Sequence, residues 1–192
     1  AGNTTHDTMV VEVRDTIAPT FVSGASILSM QSAGPNSCGA FVSWVPPTAY
    51  DFCAPHTISS SDSSGSFFPV GTHTVTFTAA DDVGNSRLYT FTFVVKDDID
   101  PVAQPPAAIT QANDPGQCGA TIALPTPTGT DNCGVDTAFY SRPNPDFYAV
   151  GSHTVALTVL DASGNTGQAT FTVTVEDREA PQFTRVPNDT LL

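Results

Sequence analysis

Apolar and polar residues alternate along several stretches of the chain. Val75, Phe77 and Ala79 alternate with Thr74, Thr76 and Thr78, and Phe91, Phe93 and Val95 with Thr90, Thr92 and Val94. The rows Val155, Leu157, Val159 and Phe171, Val173, Val175 repeat the pattern. Successive side chains of a strand face opposite ways, so a period of two predicts half-buried strands with a threonine-rich outer face. Val42 with Trp44, and Ile122 with Leu124, predict a further inward row. No segment sustains a helical period. The segments Asp81–Asn85 and Asp161–Asn165 each join two alternating stretches, and their Gly and Asn residues predict hairpin turns. Short alternating strands broken by 16 prolines and 14 glycines indicate an all-β fold of antiparallel sandwiches.

The same pattern occurs twice. Cys38-Gly39-Ala40 recurs 80 residues on as Cys118-Gly119-Ala120, and Cys53 recurs as Cys133. Val70-Gly71-Thr72-His73 returns as Val150-Gly151-Ser152-His153, and Asp81, Gly84, Asn85 return as Asp161, Gly164, Asn165. Asp97 and Pro101 return as Asp177 and Pro181, so the register holds without a gap from residue 38 to residue 181. Asp15 and Pro19 match Asp97 and Pro101 at an offset of 82. The expected organisation is therefore a last strand of a preceding repeat at 1–17, full repeats at 18–98 and 99–179, and the first strand of a following repeat at 180–192. The chain reads as a window on a longer array. A lone terminal strand has no sheet to bury its apolar face, so the end segments are expected to fray or to pair with a neighbour.

Charge narrows the function. Lys and Arg number 6 against 19 Asp and Glu, a formal net charge of -13. So few cations cannot neutralise a row of phosphates, which excludes nucleic acid as a partner and argues against docking on an anionic bilayer. With 40% hydrophobic residues the chain is too apolar for a disordered acidic tail, yet no apolar run reaches the length of a membrane span. The four cysteines allow three pairings. The repeat favours one disulfide in each module, Cys38 with Cys53 and Cys118 with Cys133, and hence an oxidising compartment. The pairs lack the close spacing of zinc ligands.

Taken together, Cys118-Gly119-Ala120, Asp131-Asn132-Cys133-Gly134, Phe68-Pro69-Val70-Gly71-Thr72, Asp161-Ala162-Ser163-Gly164-Asn165 and Phe171-Thr172-Val173-Thr174-Val175-Glu176-Asp177 resemble the hyalin repeat. The resemblance implies immunoglobulin-like sandwiches in tandem arrays of extracellular, often adhesive proteins. The cysteine-poor tandem style also resembles very large surface proteins of Bacteroidetes-type bacteria, gliding-motility adhesins among them. Two features depart from the pattern. Tyr89 and Ala169 stand where many members carry a further cysteine, and Asp51-Phe52-Cys53-Ala54 replaces Asp-Asn-Cys-Gly in the first repeat.

Acidic residues are the strongest candidates for chemistry. In an immunoglobulin-like sandwich the incoming chain, the second–third strand loop and the last hairpin share one end. That gathers Asp97, Asp98, Asp100, Asp131, Asn132, Asp161 and Asn165 for the second repeat. Asp15, Asp51, Asp81, Asp82 and Asn85 form the analogous set for the first, and Asp177 and Glu179 would begin a third. Calcium takes six to eight oxygen ligands, so it is the expected ion, stiffening each linker by neutralising the carboxylates. Solvated turn capping is the alternative use of the same residues.

Other candidates are weaker. His73 and His153 sit at matched positions after a Val-Gly turn and read as packing residues, and Trp44 aligns with Leu124 as core. No Gly-x-Ser-x-Gly elbow aims a catalytic serine, and enzymatic activity is not expected. Asn3 and Asn188 fit an N-glycan pattern, and Thr8, Thr16, Thr137 and Thr190 follow Asp as in O-glycan acceptors of Bacteroidetes-type bacteria. Function is expected to be a stalk or filament shaft of a cell-surface adhesin, packed against neighbouring repeats. A module gripping a surface glycan or protein through exposed aromatics such as Phe67-Phe68 or Phe147-Tyr148 is the alternative, as is an accessory domain of a secreted enzyme.

Overall fold

A computed structural model describes residues 1–182. The chain divides into two compact units, the first formed by Ala1–Gly34 with Cys38–Lys96, the second by Pro35–Ser37 with the chain from Asp97 onward. Among the described residues there is no helix, and none long and apolar enough to cross a membrane.

The first unit contains β1 (Thr20–Ser23), β2 (Met30–Ser32), β3 (Gly39–Val42), β4 (Thr48–Tyr50), β5 (His56–Ser60), β6 (Ser66–Pro69), β7 (Gly71–Asp81) and β8 (Ser86–Lys96). One sheet has the order β2-β8-β7-β5. In it β7 and β8 form the long hairpin and β2 runs parallel to β8. The opposing layer consists of the antiparallel pairs β1–β4 and β3–β6. A bridge between Ser26 and Val45 continues the first pair, so β3 and β4 are consecutive parts of one strand path. Between the layers lie Val42, Trp44 and Phe68 from one side and Val75, Phe77, Phe93 and Val95 from the other. All but Phe68 belong to the inward rows that the alternation marked.

The second unit repeats the design with β9 (Val102–Gln104), β10 (Ile109–Ala112), β11 (Gly119–Ile122), β12 (Thr128–Thr130), β13 (Val135–Tyr140), β14 (Asp146–Ala149), β15 (Gly151–Asp161) and β16 (Thr166–Glu176). Its main sheet is β10-β16-β15-β13, with β10 parallel to β16. The pairs β9–β12 and β11–β14 form the other layer. Its core holds Ile122, Leu124, Tyr148, Val155, Phe171, Val173 and Val175. Each unit is an antiparallel immunoglobulin-like sandwich whose first strand is split between the two sheets.

Where the strand path breaks, a side chain repairs the ladder. The Leu124 N–H donates to Asn144 Oδ1 at 2.8 Å, and Asn144 Nδ2 donates to the Leu124 carbonyl at 3.0 Å. At the equivalent place the Trp44 N–H donates to Ser64 Oγ, which donates in turn to the Trp44 carbonyl. A buried backbone group without such a partner is costly, so these clamps let Trp44 and Leu124 enter the core. The Cys-Gly-Ala motif has a packing reason as well. The rings of Phe67 and Phe147 cover Gly39 and Gly119 so closely that any Cβ would collide with ring and backbone.

Residues 1–19 contain no strand, so the strand expected over 1–17 is not formed there. That segment has no sheet of its own to join. Most of the strand expected at 180–192 lies outside the described residues.

Candidate metal centres

Each sandwich has two distinct poles. In the first unit β7 runs from Gly71, paired with Val95, to Asp81, paired with His56. Pairing of Tyr50 with Thr20 brings the end of β4 and the incoming chain to the Asp81 pole. Hence the incoming chain, the β4–β5 loop and the β7–β8 turn share what is here termed the leading pole. The trailing pole is marked by Lys96, whose carbonyl accepts from the Ala33 N–H. The second unit follows the same plan.

At each leading pole three carboxylates converge. Oxygens of Asp15, Asp51 and Asp81 lie within 4.8 Å of one another, and so do oxygens of Asp97, Asp131 and Asp161. Local hydrogen bonding explains why such repelling groups stay in place. Asp81 Oδ1 accepts from the N–H groups of Val83, Gly84 and Asn85, closing the hairpin. Gly84 supplies the positive φ of 99° that this turn requires. Asn85 Nδ2 donates to Asp81 Oδ2 at 2.8 Å and to the Asp15 carbonyl. Asp161 and Asn165 do the same, Asn165 Nδ2 reaching the Asp97 carbonyl. Burial pushes both Asp81 and Asp161 upward, but the bonds from the Asn side chains and turn amides outweigh it and hold both below the ordinary 3.8.

The remaining carboxylates each spend one oxygen on a turn. Asp15 Oδ1 accepts from Ile17, Asp51 Oδ1 from Cys53 and Ala54, Asp131 Oδ2 from Cys133, and Asp97 Oδ1 from Ile99 and Asn132. The other oxygen of Asp15, Asp97 and Asp131 is buried and has no hydrogen-bond partner. Asp97 is wholly buried, at 0% exposure. A buried anionic oxygen facing two other carboxylates is expensive unless a cation sits among them. Hard oxygen donors on flexible loops suit a calcium-type ion.

The structure brings Asp15, Asp51, Asp81, Asp97, Asp131 and Asp161 into the two clusters. Asn85, Asn132 and Asn165 lie beside them, their amides spent as donors to carboxylates and backbone. Asp98 and Asp100 are exposed and outside the clusters. His73 and His153 bond through Nε2 to the Pro69 and Ala149 carbonyls, and their rings pack on Phe68 and Tyr148. Phe68 and Tyr148 are buried, while Phe67 and Phe147 sit half-exposed on the outer face. Thr8, Thr16 and Thr137 are exposed, whereas Thr190 lies outside the described residues.

The cysteines correct the expected pairing. Cys38 and Cys133 are disulfide-bonded, whereas Cys53 and Cys118 are free and exposed. The within-repeat bonds Cys38–Cys53 and Cys118–Cys133 are therefore not formed. Cys38 precedes Gly39 at the trailing pole, and Cys53 follows Asp51 at the leading pole. The intervening path through β3 and β4 advances about 3.3 Å per residue, far beyond the ~7 Å between Cα atoms that a disulfide spans.

Comparison with known proteins fits this repeat plan. The HYR domain family matches residues 14–96 and again 96–175. The chain belongs to the HYR domain family. Hyalin of Lytechinus variegatus is 39% identical over 152 residues, covering 77% of this chain and 29% of that protein. Hyalin of Strongylocentrotus purpuratus is 34% identical over 191 residues, covering 96% of this chain and 16% of that protein. The chain thus spans under a third of the length of these curated relatives. Among solved structures, Drosophila N-cadherin EC1-4 aligns with a TM-score of 0.40 at 15% identity, over 84% of this chain and 50% of that chain. The fibronectin(III)-like modules of Clostridium thermocellum CbhA align at 0.35 and 11%, over 84% of this chain and 100% of that chain.

Proposed function

We propose that this chain is a shaft segment of a long extracellular surface protein, a stalk or filament of a cell-surface adhesin, whose HYR repeats each hold calcium at the leading pole. The observation that carries the reading is the recurrence of one three-carboxylate cluster in both repeats, with wholly buried Asp97 offering an unpartnered oxygen. A bound ion would tie the incoming chain, the β4–β5 or β12–β13 loop and the last hairpin of its repeat together. It would remove the repulsion that otherwise loosens that pole. Tandem HYR repeats, each built around its own packed core, support a structural role. Gliding motility of the parent cell is one setting in which such a shaft would serve.

An antibody raised against the chain should decorate surface fibres along their length on intact cells. Labelling confined to the fibre tip or to the cell interior would overturn the shaft assignment. For the ion, terbium luminescence at the two clusters should rise on addition and be displaced by calcium. Failure of calcium to displace it would remove calcium from the reading.

A further inference from the structure

We infer that the two carboxylate clusters fill in order, the second repeat's before the first's, and that the side chain at the Phe52 and Asn132 position sets the difference. The inference rests on the calcium reading above and adds an order of occupancy and the residue responsible for it. Rising calcium then stiffens one leading pole before the other.

Phe52 and Asn132 stand at the same place, 80 residues apart, each directly after the loop carboxylate of its cluster, Asp51 or Asp131. Asn132 Nδ2 donates to Asp97 Oδ1 at 3.2 Å, beside the Ile99 N–H at 3.3 Å. The carboxylate of the incoming chain is thus gripped by the loop as well as by its own turn. A phenyl ring has no such donor. Among the described residues, Asp15 Oδ1 accepts only from the Ile17 N–H of its own turn, at 3.0 Å. Phe52 is instead 89% exposed and lies edge-on to Tyr50, ring centroids 4.8 Å apart.

Burial divides the clusters in the same way. Asp97 is wholly buried, whereas Asp15 is half-buried. In the second cluster Asp97 Oδ2 and Asp131 Oδ1 are both buried without a hydrogen-bond partner, and in the first only Asp15 Oδ2 is. A cation therefore satisfies two stranded anionic oxygens in the second cluster against one in the first, at a place less screened by water. Asn132 acts as a positioning residue. It holds Asp97 in place before the ion arrives, so less side-chain freedom is lost on binding. In the first cluster the ordering of Asp15 weakens the binding.

The test is calorimetric titration of calcium into the metal-free full chain, with Asp97→Asn and Asp81→Asn assigning each phase to its cluster. One hydrogen bond to a charged group corresponds to a difference on the order of ten- to a hundredfold, and the two phases should be separated by about that factor. The tight phase should vanish in Asp97→Asn and the weak one in Asp81→Asn. Phe52→Asn should tighten the weak phase by roughly tenfold and leave the tight phase where it was. Because Phe52 lies outside the core, this gain does not depend on a destabilised protein folding. Asn132→Phe should weaken the tight phase by a similar factor. Two phases of equal affinity, a weak phase that belongs to Asp97, or a weak phase unmoved by Phe52→Asn would overturn the inference while leaving calcium at both poles. Absence of calcium heat in every variant would overturn the calcium reading itself, and the inference with it.

Discussion

Asn144→Ala tests the idea that side chains complete the interrupted strand path. Truncation deletes both bonds to Leu124, a core residue only 6% exposed, and leaves its N–H and carbonyl without partners. Each orphaned backbone group costs roughly 1–2 kcal/mol at this nearly buried position, so the two come to about 2–4 kcal/mol. A repeat of this size has roughly 4–12 kcal/mol in all. At about 4–8 °C per kcal/mol, melting should fall by roughly 8–32 °C for the second repeat. Asn144→Ser should recover much of the loss, because Ser64 performs the same clamp on Trp44 with one hydroxyl. Urea and thermal unfolding followed by far-ultraviolet circular dichroism measure both variants. A loss under about 0.5 kcal/mol for Asn144→Ala, the scale of ordinary surface changes, would refute the clamp.

Other outcomes follow from the same geometry. Asp97→Asn keeps a turn-capping oxygen but removes one charge, so it should abolish calcium-induced stabilisation of the second repeat while leaving the chelator-treated protein as stable as before or more so. In the parent chain, calcium at a hundredfold excess over its Kd should add about 2.7 kcal/mol per site, read as a rise in melting temperature over the chelated sample. Gly119→Val should prevent Phe147 from covering β11 and lower the urea midpoint, because a Cβ there meets both ring and backbone. The pKa of Asp161 is held below 3.8 in the folded state, so its contribution is complete above that pH and lost as pH falls through the folded value. The urea midpoint in chelator should therefore drop below about pH 4, and Asp161→Asn should shrink that drop.

Much of the fold was written in the alternation. Val155, Leu157 and Val159 point inward at 0% exposure because a period of two leaves a strand no other way to bury them. The leading pole was legible too, since Asp81-x-x-Gly84-Asn85 marks a hairpin and the repeat gives its partner. What the sequence did not reveal has physical causes. Cys38 and Cys53 are close in the chain, but a strand path lies between them, and extended backbone separates residues that a turn would unite. The inward pair Val42 and Trp44 between those cysteines was the available signal. Asp98 and Asp100 share the composition of the cluster but stand on exposed backbone beside Asp97, which alone of the three is buried. The Asn85 and Asn165 amides match the residue types of a ligand set, yet their donors hold carboxylates in position. Ser64 and Asn144 are chemically unlike and give no shared motif, so their common role emerges only from the break in the strand they bridge.

Isothermal titration of calcium into the metal-free chain examines the two carboxylate clusters most directly. Two ions should bind per chain, one of them lost in Asp97→Asn and the other in Asp81→Asn. Absence of binding heat up to millimolar calcium, or binding left unchanged by both substitutions, would contradict the assignment of a cation to the leading pole of each repeat.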